Sequence, residues 1–426
     1  MQAYKTYTSL IKRNLSVVSS FIHLSFIQAA NVLTQIILIP IITRIVGLPS
    51  FGQIMVATSY AALVSILINY GSNQSGVKDI ALYKDQPSKR SAIFYSIYFV
   101  RIILFLFSVL SLFILKQMDI IPTMYNHLLF ANMLILSETL NPFFFFVGLQ
   151  KLFLYNVITL ITRILAILLI IFFVHTPEDS IWVNFLMGLS SSIGYFFLCI
   201  VLIRKFQLTD YKVSVIFLKK YIQQNFYLTG NNICVQLQQS FFLFTVSTMD
   251  NPLLLGAYSL CDKFVWSFRM LIISFFNVVY PRASIIFNDH PQAWHQLKKK
   301  LSRLLWVIFL IIAVLLILFA DQLVLLVTGT NDPLSASFIQ AICVVPLIAA
   351  LNSLNVTDLL LRNRYPAIFK IALILLALSV IISLLLAQWG HTGLFGFFPV
   401  LTEIFSIPLY LYFIRQSGVP AVTKAE

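Results

Sequence analysis

Charge is what this chain has least of. Only 10% of its 426 residues are Asp, Glu, Lys or Arg, and the acidic ones number 15. Hydrophobic residues make up 59%, and they recur in long apolar runs along the whole length. A run of about 20 apolar residues is enough for a helix to cross a ~30 Å hydrocarbon core. A water-soluble globule of this size has too little interior to bury about twelve such runs. The composition excludes a soluble domain and requires a polytopic membrane protein.

Cysteine is also scarce. Cys199, Cys234, Cys261 and Cys343 all fall in apolar segments, without a CxxC or CxxH context. That excludes a disulfide framework or a zinc site and makes them small packing residues. The chain lacks a P-loop, an HExxH motif, paired carboxylates in an extramembrane domain, and any loop long enough to house a catalytic domain. No enzyme activity, cofactor or metal is expected. The basic start (Lys5, Lys12, Arg13) precedes an apolar stretch too long for a cleavable signal and without a small-residue cleavage site. It is expected to stay as the first span.

The charge that is present is biased, with 29 Lys and Arg giving a net +14. In a soluble protein this would suggest nucleic acid. Here the tendency of cytoplasmic loops to collect Lys and Arg explains it better, and no nucleic-acid partner is expected. Spans are predicted near residues 16–43, 53–72, 92–115, 126–148, 154–174, 182–203, 229–249, 255–280, 303–326, 335–357, 366–388 and 394–414. With the N-terminus inside, 23 of the 29 basic residues fall on the cytoplasmic side. Only Arg44 and Lys116 lie near outer ends, and Arg101, Arg163, Lys263 and Arg269 lie within spans. A wrong topology would not produce that asymmetry.

The predicted fold is all-α: a polytopic membrane protein of twelve transmembrane helices in two six-helix lobes, with both termini cytoplasmic. The lobes are residues 1–203 and 229–426, joined by a polar cytoplasmic linker over 204–228. Internal echoes suggest a pseudo-two-fold relation between them. Gln28, Asn31 and Gln35 open span one, while Asn231, Asn232, Gln236, Gln238 and Gln239 open span seven. The next outer turns carry Pro49 with Gly52, and Pro252 with Gly256. The 4–5 turn, Gln150–Lys151, matches Arg362–Asn363–Arg364 of the 10–11 turn in kind. Parallel repeats about an axis along the membrane normal are a transporter architecture, with the working site between the halves.

Three segments carry a family likeness. The first is Pro40-Ile-Ile-Thr-Arg44-Ile-Val-Gly47 followed by Phe51-Gly52. The second is Tyr70-Gly71-Ser72-Asn73-Gln74-Ser75 with Asp79-Ile80-Ala81, and the third is Phe146-Val147-Gly148-Leu149-Gln150-Lys151. In these the chain resembles the Wzx-type polysaccharide flippases of the multidrug/oligosaccharidyl-lipid/polysaccharide exporter superfamily. The likeness is close over roughly the first 155 residues. Beyond them it thins to Gly256-Ala-Tyr258, Asp262-Lys263 and Tyr280-Pro281, and to helix count and spacing. The resemblance implies an exporter of undecaprenyl-diphosphate-linked oligosaccharide, moving it from the inner to the outer leaflet of the bacterial cytoplasmic membrane for O-antigen or capsule synthesis. It also implies contact with the polysaccharide polymerase and chain-length machinery.

A diphosphate cannot cross bare hydrocarbon, because desolvating it costs too much. A wet cationic cavity is therefore expected between the lobes. Candidate substrate-binding residues are Arg101 (~12 Å into span three), Arg163 at similar depth in span five, Lys263 and Arg269 in span eight, and Arg44. Glu138, Asp262 and Glu403 are the deep acids, suited to proton coupling or to structural pairing. Asp262, Trp266 and Arg269 follow an i, i+4, i+7 spacing on one face. The plainer alternative for each deep charge is an ion pair inside its own lobe, and for Arg44 it is snorkelling to headgroups.

Other features read as structural. Asn73, Ser75 and Asp79 are expected to fix the inner end of span two. Phe143–Phe146 reads as an aromatic packing run, and Lys298–Lys300 with His290 and His295 as a topogenic cluster. His23 reads as an interhelical hydrogen-bonder. Competing functions are a drug/cation antiporter of the same superfamily, which wants a carboxylate-dominated cavity, and a lipid II flippase. A membrane-embedded glycosyltransferase or polymerase would usually carry a large outer loop, and this chain has none.

Overall fold

The computed structural model describes residues 2–119, 123–208, 213, 215–289 and 291–416; within them, the side chains of residues 2–29, 31, 215–216, 277–278, 281, 288–289 and 291 are not described. The side chains of Lys5, Lys12, Arg13, His23, Gln28, Asn31, Lys212, Pro281, His290 and Lys424 lie outside the described residues. Among those described, the regular structure is helix alone. In order the helices are α1 (Gln2–Asn69), α2 (Ser75–Leu82), α3 (Pro87–Gln117), α4 (Tyr125–Leu140), α5 (Phe143–Gly148), α6 (Leu152–Phe173), α7 (Ser180–Lys205) and α8 (Val215–Ser247). They continue as α9 (Pro252–Asp289), α10 (Pro291–Leu318), α11 (Ala320–Thr328), α12 (Pro333–Ala341), α13 (Val345–Leu361), α14 (Tyr365–Trp389) and α15 (Phe398–Gln416).

Nine stretches among the described residues are long and apolar enough to cross a membrane. One of them, Val32–Asn69, is broken at Gly47 (φ 76°, ψ 165°), so α1 is two consecutive helices matching the first two predicted spans. The long helices α8 and α9 cover predicted spans seven and eight. The observed helices are thus compatible with twelve crossings. Large apolar side chains cover the outer faces of these helices, as with Phe107 (67% exposed), Phe153 (69%) and Phe172 (70%). Patches of this extent are stable against lipid tails, not against water. This is a multi-pass membrane protein.

By internal packing the chain divides into unit 1, Met1–Val46 with Gln53–Ile233, and unit 2, Gly47–Gly52 with Cys234–Glu426. Unit 1 has an aromatic core in which Phe94, Tyr98, Phe144, Phe145 and Tyr155 cluster. The Phe143–Phe146 run therefore packs inward, with Phe144 and Phe145 fully buried. In unit 2, Phe242 stacks on Phe398 at 4.4 Å and meets Tyr258 and Phe395 edge-on.

The sequence echoes have structural counterparts within each unit. In unit 1, Gln150 takes φ 56°, the Gln150 N–H donates to Val147 O and the Lys151 N–H donates to Phe146 O. In unit 2, Asn363 takes the same φ, its N–H donates to Leu360 O and the Arg364 N–H donates to Leu359 O. Both are Schellman closures of a helix C-terminus. The Pro–Gly turns meet inside unit 2, where a Cβ on Gly256 would lie 2.2 Å from Leu48 O and one on Gly52 would lie 2.8 Å from Gly256 N. Neither position tolerates a side chain.

Candidate functional site

Unit 1 builds its polar centre around a break in a helix. Asn141 precedes Pro142, whose ring disfavours helical backbone at the residue before it, and Asn141 is extended (ψ 110°) where α4 ends. Pro142 has no N–H, so the last carbonyls of α4 need other donors at a depth where water is scarce. Arg101 of α3 supplies them. Its Nη1 donates to Asn141 O at 2.6 Å and to Glu138 O at 3.4 Å. Its Nη2 donates to Asn69 Oδ1 at 2.8 Å and Ser72 Oγ at 2.6 Å. Tyr98, one turn earlier, donates to Leu140 O at 2.9 Å. A cation at a helix C-terminus also complements the helix dipole. Arg101 has no exposed surface, and its guanidinium lies over the rings of Phe144 and Tyr98. In this structure both Nη groups are committed within unit 1, while Nε, also buried, has no hydrogen-bond partner among the described residues.

The Glu138 side chain continues the network. Oε1 accepts from Asn69 Nδ2 at 2.5 Å and Oε2 from Asn141 Nδ2 at 3.1 Å. Asn141 Oδ1 accepts from Tyr155 OH at 3.1 Å, and the Tyr155 ring stacks on Tyr195 at 6.0 Å. Arg163 of α6, half-buried, interacts electrostatically with the hydroxyls of Tyr195 and Tyr155. Glu138, Asn69, Tyr195 and Arg163 all keep part of their surface exposed. They form the accessible face of the cluster, with Arg101 behind it.

The family-like segments converge at one end of unit 1. Gly71 (φ 74°) brings the chain so close to α8 that a Cβ there would lie 2.3 Å from Asn225 Oδ1. Asn225 Nδ2 donates to Ser75 Oγ at 2.8 Å, and Tyr221 OH donates to Asn69 O at 3.1 Å. Gly148 sits where a Cβ would meet the Ile80 side chain at 2.8 Å. Ser75 therefore helps to fix the end of the second span. The partners Tyr221 and Asn225 come from the stretch predicted as linker, which is helical from Val215 onward.

Unit 2 holds the second cluster. Arg269 Nη2 pairs with Glu403 Oε1 at 2.7 Å, the two side chains being 17% and 12% exposed. Asn352 Nδ2 donates to Glu403 Oε2 at 3.1 Å and also to Ser406 Oγ. Asp262 is held between the positive charges of Lys263 and Arg269, although Lys263 stands one position round the helix. The Lys263 ammonium has no hydrogen-bond or ion-pair partner among the described residues. Arg44 is exposed, three residues before the Gly47 break.

A further acid, unremarked in the sequence, lies at the far end of α13. Asp358 is 4% exposed and accepts from Trp294 Nε1 at 3.0 Å, Lys298 Nζ at 3.1 Å and Arg362 Nε at 3.3 Å. Lys298 of the basic cluster is thus an ion-pair partner as well as a loop charge.

Of the predicted residues, the structure joins Arg101 with Glu138 in unit 1, with Arg163 nearby through the tyrosines. It joins Arg269 with Glu403 in unit 2, where Asp262 feels the charges of Lys263 and Arg269 without pairing with either. Sequence reasoning missed Asn69, Asn141, Tyr155, Tyr195, Asn352, Ser406 and Asp358. The Asn141–Pro142 pair was a readable signal, because a proline within a span leaves carbonyls for another helix to satisfy.

The chain is 21% identical over 414 residues to the "Putative O-antigen transporter" of Escherichia coli (strain K12), covering 95% of this chain and 98% of that one. It is 23% identical over 351 residues to a protein of the same name from Shigella dysenteriae, covering 78% and 83%. Its fold is similar to that of the lipid II flippase MurJ in an inward closed conformation (TM-score 0.69, 12% identity, 94% of this chain and 87% of that one). It is also similar to an inward-facing multidrug resistance MATE family transporter of the MOP superfamily (TM-score 0.68, 11% identity, 91% and 98%). The polysaccharide biosynthesis protein family matches residues 17–287, which is more than half of the sequence. On that match the chain belongs to the polysaccharide biosynthesis protein family.

Proposed function

We propose that this protein is a flippase that moves undecaprenyl-diphosphate-linked oligosaccharide repeat units from the inner to the outer leaflet of the bacterial cytoplasmic membrane, for O-antigen or capsule synthesis. The observation that carries this reading is that each unit keeps a charged cluster at membrane depth with part of its surface exposed. Glu138 and Arg163 do so in unit 1, and Arg269 and Glu403 in unit 2. A charge at the centre of a spanning helix costs about 2.5–3.5 kcal/mol on insertion scales, so a lipid-only environment would select against these residues. Water or a polar cargo reaching them offsets that cost. The near end-to-end likeness to O-antigen transporters supports a lipid-linked sugar as that cargo.

Four basic residues (Arg101, Arg163, Lys263, Arg269) stand against three acids (Glu138, Asp262, Glu403), an excess of one positive charge that favours an anionic substrate. Arg163, Lys263 and Arg269 are proposed to meet the diphosphate, with Arg44 near the outer end. Arg101 positions the helix break that presents Glu138 and Asn69. A membrane potential, inside negative, assists outward movement of negative charge by about 2.3 kcal/mol per charge per 100 mV, so direction needs no nucleotide hydrolysis. In this reading the polysaccharide polymerase and chain-length machinery take the product, both termini are cytoplasmic, and no reaction is catalysed.

The test is a deletion strain. Lipid-linked oligosaccharide should accumulate at the inner leaflet and surface polysaccharide should vanish, both being restored by the wild-type gene but not by Arg163→Gln or Arg269→Gln. Unchanged glycans with raised drug sensitivity would refute the proposal in favour of an antiporter.

A further inference from the structure

Unit 1 carries a pocket at the end bearing the lysine-rich loops, and Arg101 is not among the residues that line it. Asp79 of α2, Tyr83 just beyond it, Lys89 of α3, and Phe217, Lys220 and Gln224 of α8 line it. Its charge is uneven. Lys89 and Lys220 are exposed at the rim, and Lys78 adds its field to that of Lys220 at the half-buried Asp79. The three lysines exceed the one carboxylate by two charges.

The rim and wall have some order of their own. Lys89 Nζ sits 4.7 Å over the Tyr83 ring, a weak contact at an exposed site that biases the ammonium toward this position. Phe217 and Tyr221 stack at 5.8 Å with planes 19° apart, giving the pocket one flat apolar wall. Tyr221 is itself anchored through its hydroxyl to Asn69 O, and Asn225 one turn on is anchored to Ser75, so α8 cannot slide along the pocket.

Free anions are recognised by charge and hydrogen bonds alone. A cationic rim beside an aromatic wall at the end of a spanning helix suits a group that is anionic at one end and hydrocarbon at the other. We propose that this pocket binds a phosphate group borne on a lipid, with Lys89 and Lys220 on the phosphate oxygens and the Phe217–Tyr221 stack against the first carbons of the chain. The phosphate belongs either to a prenyl diphosphate or to an ordinary anionic phospholipid. Asp79 opposes the bound charge and so moderates the affinity. The pocket binds phosphate whether or not the chain transports a lipid-linked sugar, so this inference and the flippase reading can fail separately.

The test uses the full-length protein in phosphatidylcholine nanodiscs. One arm titrates farnesyl diphosphate, and the other measures retention of admixed phosphatidylglycerol by native mass spectrometry. The double variant Lys89→Gln/Lys220→Gln should weaken at least one of the two by about tenfold or more, and Asp79→Asn should strengthen the same one. An effect on farnesyl diphosphate alone assigns the site to prenyl carriers. An effect on phosphatidylglycerol alone assigns it to bulk lipid, and both together give a general lipid-phosphate site. Unchanged binding in the double variant, or weaker binding in Asp79→Asn, overturns the proposal. Lys220→Gln alone, at an exposed position, gives the same reading should the double variant be poorly folded.

Discussion

Replacing Arg101 by Met keeps most of the side-chain bulk and removes every donor. Three short bonds are lost, to Asn141 O (2.6 Å), Asn69 Oδ1 (2.8 Å) and Ser72 Oγ (2.6 Å). Neutral interhelical hydrogen bonds in membranes average about 0.6 kcal/mol, because unfolded helices find other partners in the lipid. Charge assistance roughly doubles the strength, which gives about 3–4 kcal/mol for the set. A folding unit of this size loses about 2–4 °C in Tm per kcal/mol, so the expected fall is about 6–16 °C. Scanning fluorimetry on detergent-purified protein reads it, and membrane abundance should fall in parallel. Arg163→Gln is the comparison, because that side chain is only half-buried. It should stay within about 2 °C of wild type while losing transport. An Arg101→Met protein as stable as wild type would refute the helix-end role and return Arg101 to direct substrate contact.

Gly71→Ala should destabilise by about 2–4 kcal/mol, from a left-handed backbone and the displaced Asn225. Gly390→Ala, also at positive φ but with nothing within 4 Å of the added carbon, should cost only about 1 kcal/mol, and paired Tm values check both. Arg269→Gln and Glu403→Gln should each destabilise, and the double variant should lose less than the sum of the two, with a coupling of about 1–3 kcal/mol in a double-mutant cycle. Additive losses would mean that the 2.7 Å pair carries little energy. Burial pushes the Asp79 carboxyl above the usual range, against the pull of Lys220 and Lys78. A raised acid is protonated at higher pH than an ordinary one, so acidification adds positive charge to a pocket it shares with Lys89, Tyr83 and Tyr221. Phosphatidylglycerol retention should therefore rise as pH falls from neutrality, since a phosphodiester keeps its single charge, and Asp79→Asn should flatten the profile.

The parts legible in the sequence were those fixed by repetition along the chain. Spans are set by runs of apolar residues, and the lipid-facing Phe107 and Phe172 need no partner to be read as such. The bend of α1 at Gly47 could be placed from Pro49 and Gly52, because a break between two apolar runs is itself a local feature. The partners of the deep charges were not legible. Arg269 and Glu403 are 134 residues apart, and Arg101 meets Asn69 across 32. Nothing in local spacing chooses among the acceptors that several helices could offer. The stretch before predicted span seven was misleading for a different reason. Its polar residues fit a loop by composition, yet Tyr221 and Asn225 are polar because they bond to the turn at 69–75. Arg90 was counted with the loop charges, and it bonds instead to Lys84 O and Phe206 O, holding the end of α7.

The two clusters differ in a way that bears on how a phosphate could be handled. In unit 2 the Arg269 guanidinium is closed by Glu403, so any anion that engages Arg269 must compete with a carboxylate already 2.7 Å away. In unit 1 the carboxylate of Glu138 accepts instead from the neutral amides of Asn69 and Asn141, and Arg163 interacts with the hydroxyls of Tyr195 and Tyr155. A hydroxyl is a weaker competitor than a carboxylate for an incoming phosphate. Binding at Arg269 is then gated by whatever neutralises or displaces Glu403.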